Sequence, residues 1–205
     1  IKKVERNQLK FCSICIFTGT KKFTSMRILK DNALLTVIDV QEKLFSHIAE
    51  NEKLEKKLNN LIEGMKILNV PIFVTEQYVK GLGSTIPSIS ESTAGIERVE
   101  KMSFSCCGEP SFDLNLKNSS REQIIICGIE THVCVLQTAL DLIEEGFAPI
   151  LVTDAVSSRN LNDKKFAIKR MQQEGVRLAT VESILFELAR VSGTAGFKAI
   201  SKLVR

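Results

Sequence analysis

Residues 128–134, Gly-Ile-Glu-Thr-His-Val-Cys, place a cysteine where a nucleophile gains most from backbone geometry. An apolar run typical of a buried strand, 123–127, precedes the segment, and apolar residues at helical spacing continue over 133–145. Cys134 is therefore predicted on a strand-to-helix turn, where unpaired N–H groups and the helix dipole stabilise a thiolate and bind an oxyanion. The alternative is a buried cysteine that acts only as a small hydrophobic residue.

Two charged residues are predicted to accompany this cysteine. Asp39 lies at the end of the first apolar strand, and Lys101 ends the segment 96–100. Ligands of parallel sheets bind outside the carboxyl ends of the strands, so these side chains and Cys134 are expected to converge on one cleft. A carboxylate can accept the thiol proton, a lysine cation can hold both partners charged, and the thiolate can attack a carbonyl. Taken singly, Asp39 would suit a turn and Lys101 a solvated surface.

The charges predict how the thiol should titrate. We expect Lys101 and the helix N-terminus to lower the pKa of Cys134 below that of a free thiol, while the Asp39 anion opposes this. The three groups should titrate as a coupled set.

Four further side chains are candidates for the substrate pocket. Gln41 and Gln77 follow the first and second predicted strands and suit either substrate hydrogen bonds or local backbone groups. Phe45 and Phe104 lie shortly after Asp39 and Lys101 and suit either a pocket wall or the core. We assign all four to the pocket as a prediction.

Histidines offer little chemistry in this chain. His47 and His132 are the only two, so a histidine-rich metal site cannot be built, and we predict neither a metal nor a cofactor. His132 lies two residues from Cys134 on the same turn, which favours a structural or pocket-lining role over that of a general base. The vicinal pair Cys106 and Cys107 is predicted to take no part in catalysis.

Strands and helices alternate along the chain from residue 33. The predicted strands are 33–40, 71–75, 96–100, 123–128, 149–153 and 177–180, and the predicted helices are 52–69, 133–145, 162–174, 182–190 and 194–204. Residues 76–95 are predicted to form a loop excursion that covers a site, and Asn162 or Asp163 should cap the helix that Gly175 ends. Repeated β-α units imply an α/β fold, a Rossmann-like three-layer α/β/α sandwich with a mostly parallel central sheet.

The first 25 residues differ from the rest. They carry six basic side chains against one acidic, a net charge of +5, whereas residues 26–205 carry 22 basic and 23 acidic. We predict that residues 1–25 are a basic N-terminal extension, an organellar leader or an added sequence, in which 11–17 would suit an edge strand, and that 26–205 form one hydrolase domain. The near-neutral domain lacks the basic stripe that nucleic-acid binding needs.

The cysteine content and the hydropathy of the sequence indicate in which cellular compartment the protein is expected. Six cysteines include a vicinal pair and one in a core strand, which does not fit a disulfide framework and favours a reducing compartment. The C-x-x-C spacing of Cys12 and Cys15 lacks the partners of a zinc site. No apolar run approaches the length of a membrane span. We predict a cytoplasmic protein, or a mitochondrial one if residues 1–25 are a leader.

The motifs resemble those of the isochorismatase-like cysteine hydrolases. Asp-x-Gln at 39–41, the later lysine and Gly-x-x-Thr-x-x-Cys at 128–134 together form the family's signature, over about residues 29–190. Segments 75–83 and 137–142 resemble the isochorismatase domain-containing proteins in particular. The resemblance implies an Asp39–Lys101–Cys134 triad. It also implies a cis peptide between His132 and Val133, which would aim the Val133 and Cys134 N–H groups at the substrate oxyanion.

The resemblance also suggests what the enzyme does. Nicotinamidases in this superfamily bind a metal through histidines after the second strand, where this chain has Glu76, Gln77 and Tyr78. We therefore predict a metal-free hydrolase of a small amide or related C–N bond. Isochorismatase-type hydrolysis of a vinyl ether and a non-catalytic scaffold that retains the fold are the alternatives. The expected partners are a small-molecule substrate and further copies of the chain, in a homo-oligomer, without nucleic acid or membrane.

Overall fold

A central sheet of six parallel strands organises the protein. The structure, a computed structural model, describes residues 26–205. The strands are β1 (Ala33–Ile38), β2 (Ile72–Gln77), β3 (Arg98–Lys101), β4 (Gln123–Ile129), β5 (Ala148–Ser157) and β6 (Arg177–Ala179). Their order across the sheet is β3-β2-β1-β4-β5-β6, so the direction of chain progression reverses between β1 and β4. Open α/β sheets bind ligands at the carboxyl ends of the strands at such a switch point.

Helices cover both faces of the sheet. They are α1 (Glu42–Phe45), α2 (Asn51–Ile67), α3 (Val79–Leu82), α4 (Pro87–Ser92), α5 (Pro110–Asn118), α6 (Leu136–Glu144), α7 (Leu161–Gln173), α8 (Val181–Ala189) and α9 (Ala195–Leu203). The predicted three-layer α/β/α fold with a parallel central sheet is confirmed. Within the described residues, no helix is both long enough and apolar enough to cross a membrane.

Two hydrophobic cores lie on opposite faces of the sheet. Along β1, Leu35 and Val37 pack into one core, and Leu34 and Ile38 pack into the other, because successive side chains of a strand point to opposite faces. All six residues of β1 and all seven of β4 are buried. A strand covered on both sides reads as a near-continuous apolar run, which is the pattern that predicted it.

The approach of β1 to β4 at the switch point requires a glycine. Gly128 pairs with Ile38 in the register of the two strands and has a φ of 117°. A Cβ atom at Gly128 would lie 2.1 Å from the Ile38 carbonyl oxygen. The glycine therefore allows β4 to run directly beside β1 up to the strand ends, where the candidate site residues emerge.

The structure corrects the sequence prediction in several elements. Helix α5 was not predicted, and residues 76–95 contain the short helices α3 and α4 instead of an unbroken loop. Asn160 caps α7 by accepting a hydrogen bond from the Asn162 N–H, so neither Asn162 nor Asp163 is the cap. Gly175 follows the end of α7 with a φ of 97°, as predicted. The predictions for residues 1–25, the 11–17 strand and the Cys12–Cys15 pair lie outside the described residues.

Candidate active site

Asp39 and Lys101 form a buried ion pair at the carboxyl ends of two strands of the sheet. Asp39 directly follows β1, and Lys101 is the last residue of β3, two strands away. The Lys101 Nζ lies 2.6 Å from the Asp39 Oδ2, and neither side chain is exposed to solvent. Two charges removed from water in this way are stable only when they are paired and hydrogen-bonded.

Lys101 is enclosed by hydrogen-bond acceptors. Its Nζ donates to the Gln77 Oε1 at 2.8 Å and to the carbonyl oxygens of Phe104 at 2.9 Å and Ser103 at 3.2 Å, in addition to Asp39. Burial opposes the charged form, but the negative charge of Asp39 and coupling to the thiols of Cys106 and Cys134 outweigh it and raise the pKa of Lys101. The lysine is therefore a fixed cation.

Asp39 is held in one orientation by its backbone and by a second donor. Its φ of 51° is in the left-handed region, which aspartate tolerates better than most residues. Its N–H donates to the Thr75 carbonyl oxygen at 3.2 Å, and the Thr75 hydroxyl donates to its Oδ1 at 2.7 Å. Each carboxylate oxygen of Asp39 therefore has its own donor, the threonine on one side and the lysine on the other.

Cys134 lies beside this ion pair, with 6% of the residue exposed. Burial raises the pKa of the Cys134 thiol, and the Asp39 negative charge adds to the rise, whereas Lys101 lowers it. A hydrogen bond to the Asp39 side chain acts in the same direction as burial. The expectation of a pKa below that of a free thiol is therefore wrong. The lysine charge is already matched by Asp39, and burial penalises a further anion.

The turn that carries Cys134 differs from the expected one. Thr131–Val135 forms a single π-helical turn before α6. The predicted cis peptide between His132 and Val133 is wrong, because the cis bond joins Ile129 to Glu130. His132 and Val133 already lie inside the helical turn, whereas Glu130 still has extended backbone and marks the change of direction.

Hydrogen bonds fix this turn to its surroundings. The Val133 N–H donates to the Glu130 carbonyl oxygen at 3.1 Å, so it is engaged within the turn rather than directed only at a substrate. The buried Glu130 carboxylate accepts from the Arg159 N–H and Nε, each at 3.0 Å. His132 Nδ1 lies 3.0 Å from the Ser158 Oγ, which joins the turn to the loop after β5. His132 therefore has a structural contact here.

A family match decides how this constellation is interpreted. The sequence model of the isochorismatase domain matches residues 32–183, more than half of the chain. The chain belongs to the isochorismatase family.

Individual isochorismatase-family proteins support the assignment. Isochorismatase domain-containing protein 2A of Mus musculus is 38% identical over 180 residues, which cover 87% of this chain and 85% of the mouse protein. The structure of MAR1 ribonuclease from Caenorhabditis elegans has a TM-score of 0.82 and 41% identity, covering 87% of this chain and 92% of that one. The Escherichia coli YcaC gene product, an octameric hydrolase of unknown specificity, has a TM-score of 0.82 and 28% identity, covering 87% and 91%. This chain has their isochorismatase-like hydrolase fold.

The predicted pocket residues have different surroundings in this isochorismatase-family chain. Gln41 is fully buried, and its side-chain amide binds the backbone at the end of β2. Its Oε1 accepts from the Gln77 N–H at 2.7 Å. Its Nε2 donates to the carbonyl oxygens of Gln77 and Gly83. Gln77 uses its side chain to hold Lys101 and donates to the Met102 carbonyl oxygen. Both glutamines therefore have well-defined roles within the protein.

The two phenylalanines separate clearly. Phe45 is buried and packs in the core on the side of α2, as the alternative to a pocket wall anticipated. Phe104 is 55% exposed, and its carbonyl oxygen accepts from Lys101. Phe104 thus remains a predicted pocket residue, whereas the contacts of Phe45 are those of a core residue.

Two residues that were not predicted for the site also lie in contact with it. Thr75 touches Asp39 as described, and Cys106 is fully buried with its Sγ 3.8 Å from the Thr75 Oγ1. Thr75 pairs with Ile38 in the β1–β2 register, so its position beside the end of β1 follows from strand order alone. Burial and the Asp39 charge raise the pKa of Cys106 to about 11. Cys106, which we expected to be uninvolved, is therefore in contact with the site.

Within residues 26–205, no group of three or more histidine, cysteine, aspartate or glutamate side chains is arranged to hold a metal ion.

Proposed function

We propose that this chain is a cysteine hydrolase that cleaves a small amide or related C–N bond through a covalent intermediate on Cys134. The observation that supports this most directly is the buried Asp39–Lys101 pair beside a buried thiol. Structural stability alone does not require such a pair, because apolar residues of similar volume often replace buried ion pairs without loss. A charged pair next to a nucleophile does supply a positioned base.

Because the pKa of Cys134 is raised, the first step needs a base that accepts the thiol proton. The thiol is protonated at neutral pH, so its proton must leave as the sulfur attacks. Asp39 accepts this proton, and the Cys134 Sγ forms a bond to the substrate carbonyl carbon. The carbonyl oxygen becomes an oxyanion. When the C–N bond breaks, the nitrogen takes the proton from Asp39 and leaves as an amine, and a thioester remains.

Water completes the reaction. Asp39 takes a proton from a water molecule, whose oxygen attacks the thioester carbonyl. The C–S bond then breaks, the Cys134 sulfur recovers a proton, and the acid is released. The overall change is amide plus water to carboxylic acid plus amine. Lys101 holds Asp39 in place through its bond to Oδ2 and places a positive charge near the developing negative charge.

The oxyanion is stabilised at the start of the helical turn. The Cys134 N–H is the donor that we assign to it, since the Val133 N–H already donates to Glu130 within the turn. One well-aimed donor in an oxyanion hole typically contributes about 100-fold or more to the rate. The near-neutral charge of residues 26–205, with 22 basic and 23 acidic side chains, favours a small substrate of low charge over a polyanion.

A hydrolysis screen tests the proposal. Wild-type protein and the Cys134→Ala variant are assayed side by side against small amides, ureides, vinyl ethers and RNA oligonucleotides. RNA is included because the Caenorhabditis elegans structural neighbour is a ribonuclease. We expect turnover of an amide or ureide that Cys134→Ala abolishes, together with a mass shift of the acylated wild-type protein. Cys107→Ala, at a half-buried cysteine, is the matched control and should retain activity.

Three outcomes would contradict the proposal. Wild-type turnover that Cys134→Ala retains would exclude covalent catalysis by this cysteine. Activity lost on EDTA treatment and restored by added metal would exclude a metal-free mechanism. If no substrate is turned over and Cys134 takes up no electrophile, the non-catalytic scaffold becomes the better account.

A further inference from the structure

The Thr75 hydroxyl donates its hydrogen bond to the proposed base, Asp39. The residue is fully buried on β2, the strand next to β1. Its hydroxyl proton is donated to the Asp39 Oδ1 at 2.7 Å, in a bond with a charged acceptor. Bonds of this kind are about twice as strong as those between neutral groups.

A hydrogen bond from Cys106 to the Thr75 oxygen favours this direction of the Thr75 hydroxyl proton. The Cys106 Sγ lies 3.8 Å from the Thr75 Oγ1 and donates to it, so the threonine oxygen receives one proton and gives its own to Asp39. Cys106 is itself held, because its N–H donates to the Thr138 Oγ1 of α6 at 2.9 Å. A chain of donors therefore runs from the Cys106 thiol through the Thr75 hydroxyl to the carboxylate, and the bond from the Cys106 N–H to Thr138 anchors its start on α6.

The Thr75 bond is needed to orient Asp39 because Lys101 alone does not fix the carboxylate. Lys101 binds only Oδ2, and this single contact leaves the carboxylate free to rotate about its Cβ–Cγ bond. The Thr75 bond to Oδ1 is a second contact, which fixes the plane of the carboxylate. With both oxygens assigned, the direction from which Asp39 meets the Cys134 thiol is defined. The titratable groups around Asp39 in this arrangement are Lys101 from β3, Cys134 from the helical turn and Cys106.

We infer that Thr75 is a positioning residue for the reaction, whose hydroxyl orients Asp39 for proton transfer from Cys134. The inference rests on the proposed function, since it assigns Asp39 the role of base. It predicts that loss of the hydroxyl slows the step in which the thiol loses its proton and leaves substrate binding largely unchanged.

The experiment compares variants that differ in one hydroxyl. Thr75→Val keeps the shape and the β-branched side chain, and Thr75→Ser keeps the hydroxyl. The control is Thr36→Val on β1, another fully buried threonine, whose hydroxyl has no partner among the described residues. The first readout needs no substrate: the rate of Cys134 alkylation by iodoacetamide from pH 6 to 10, followed by mass spectrometry of the Cys134 peptide. The second is kcat and KM for the amide found in the screen.

We expect Thr75→Val to lower both the alkylation rate near neutral pH and kcat by about ten-fold, as for loss of one hydrogen bond to a charged group. KM should stay within about two-fold. Thr75→Ser and Thr36→Val should match the wild type, and the pH profile of alkylation should change only in Thr75→Val. If Thr75→Val does not fold, Thr75→Ala and Thr75→Ser replace it as a pair that differs in the hydroxyl alone, with the same expected ratio.

The outcomes separate the two claims. Reactive wild-type Cys134 with unchanged alkylation and kcat in Thr75→Val, or equal rates in the alanine and serine variants, would overturn the positioning role and leave the proposed function standing. A larger KM with unchanged kcat would also overturn it. Wild-type Cys134 that iodoacetamide does not modify would refute the proposed function itself, and the role of Thr75 with it.

Discussion

Lys101 is the residue whose environment differs most from what its type suggests. Lysine is rarely fully buried, yet only 1% of Lys101 is exposed, and its stem passes through the protein to reach Asp39. The cost of burying the ammonium is offset by Asp39, Gln77 and two carbonyl oxygens. Removal of either partner would leave a buried charge without compensation, which is strongly destabilising in proteins.

A double-mutant cycle on this pair should show strong coupling. Asp39→Asn and Lys101→Met should each lower the free energy of unfolding by about 3 kcal/mol. The double variant should lose less than the sum by about 1 kcal/mol or more, because neither charge is then left alone. Urea unfolding measures all four proteins.

The exposed pair Glu63 and Lys66 serves as the control for this cycle. Its side chains are 2.7 Å apart but about half exposed, so Glu63→Gln and Lys66→Met should couple by no more than about 0.5 kcal/mol. Additive effects at Asp39 and Lys101 would mean that the pair is not energetically linked. Alkylation of Cys134 should also be measured in all four proteins of the Asp39–Lys101 cycle, since Lys101 lowers the pKa of that thiol.

At the scale of elements, the site is assembled by three strand ends and one helical turn. Asp39 follows β1, Thr75 lies in β2, Lys101 ends β3, and Cys134 lies on the turn after β4. The parallel directions of these strands bring all four residues to one edge of the sheet. The close pairing of β1 with β4 at Gly128 brings the cysteine turn next to Asp39.

Gly128→Ala should therefore be severely destabilising. The added Cβ would lie 2.1 Å from the Ile38 carbonyl oxygen, and the φ of 117° is unfavourable for alanine. We expect a loss of about 4 kcal/mol or more, or failure to fold. Gly196→Ala is the control: nothing lies within 4 Å of its Cβ, and alanine in α9 should be neutral or stabilising by up to about 1 kcal/mol. Thermal unfolding midpoints close to wild type in Gly128→Ala would refute the close approach.

At the scale of the whole molecule, the apolar surface suggests association between copies. Helix α6 is largely covered within the chain, since Leu136, Ala139 and Leu142 are buried in the core. The exposed apolar side chains lie elsewhere: Phe166 on α7 is 67% exposed, and Met102 after β3 is 68% exposed. The Escherichia coli structural neighbour is an octamer.

We predict a homo-oligomer that uses the exposed face of α7. Light scattering at micromolar concentration should give a mass that is a multiple of the 22.8 kDa chain. Phe166→Ser should shift the mass toward that of the monomer, because it removes an exposed aromatic ring from the interface. Lys56→Ser, at an exposed charged position on α2 on the other face of the sheet, should not. A mass of about one chain for wild type would contradict the prediction.

Stability should decline in alkaline solution for a reason that spans the molecule. Burial raises the pKa values of the thiols of Cys127 and Cys134 above the ordinary 9.0, and that of Cys106 to about 11. Above pH 9 the unfolded chain releases protons that the folded chain retains, so the free energy of unfolding should fall as pH rises. The slope approaches about 1.4 kcal/mol per pH unit for each such thiol.

Urea unfolding at pH 7.5, 9.0 and 10.5 measures this decline. Stability should fall slightly between the first two values, because a thiol of ordinary pKa is half ionised at pH 9.0 in the unfolded chain, and should fall more steeply toward the third. The raised pKa of Lys101 acts in the same direction at still higher pH. Cys127→Ala should flatten the decline, because burial is the cause of the raised pKa at that thiol. An unfolding free energy that is constant up to pH 10.5 would contradict the prediction.

The strands and the turn that carries Cys134 could be predicted from the sequence alone. Strands β1 and β4 are buried on both faces of the sheet, so their sequences at 33–38 and 123–129 are almost continuously apolar. Such a run can be recognised from the sequence of one strand alone. Strand-end logic then predicted Asp39, Lys101 and Cys134 at one edge. Helix α5 escaped prediction because Phe112 and Leu116 are its only buried anchors within a polar segment, so its apolar spacing is weak.

The contacts among the site residues could not be predicted from local sequence patterns, because they join residues far apart in the chain. The strand order that places Thr75 beside Asp39 depends on pairing between segments 36 residues apart, and the Asp39–Lys101 contact spans 62 residues. The pKa of Cys134 followed the same rule: its turn predicted a lowered value, but burial and the neighbouring carboxylate raise it. Local patterns record which way a side chain faces, whereas charges and desolvation are set by neighbours that folding brings from elsewhere in the chain.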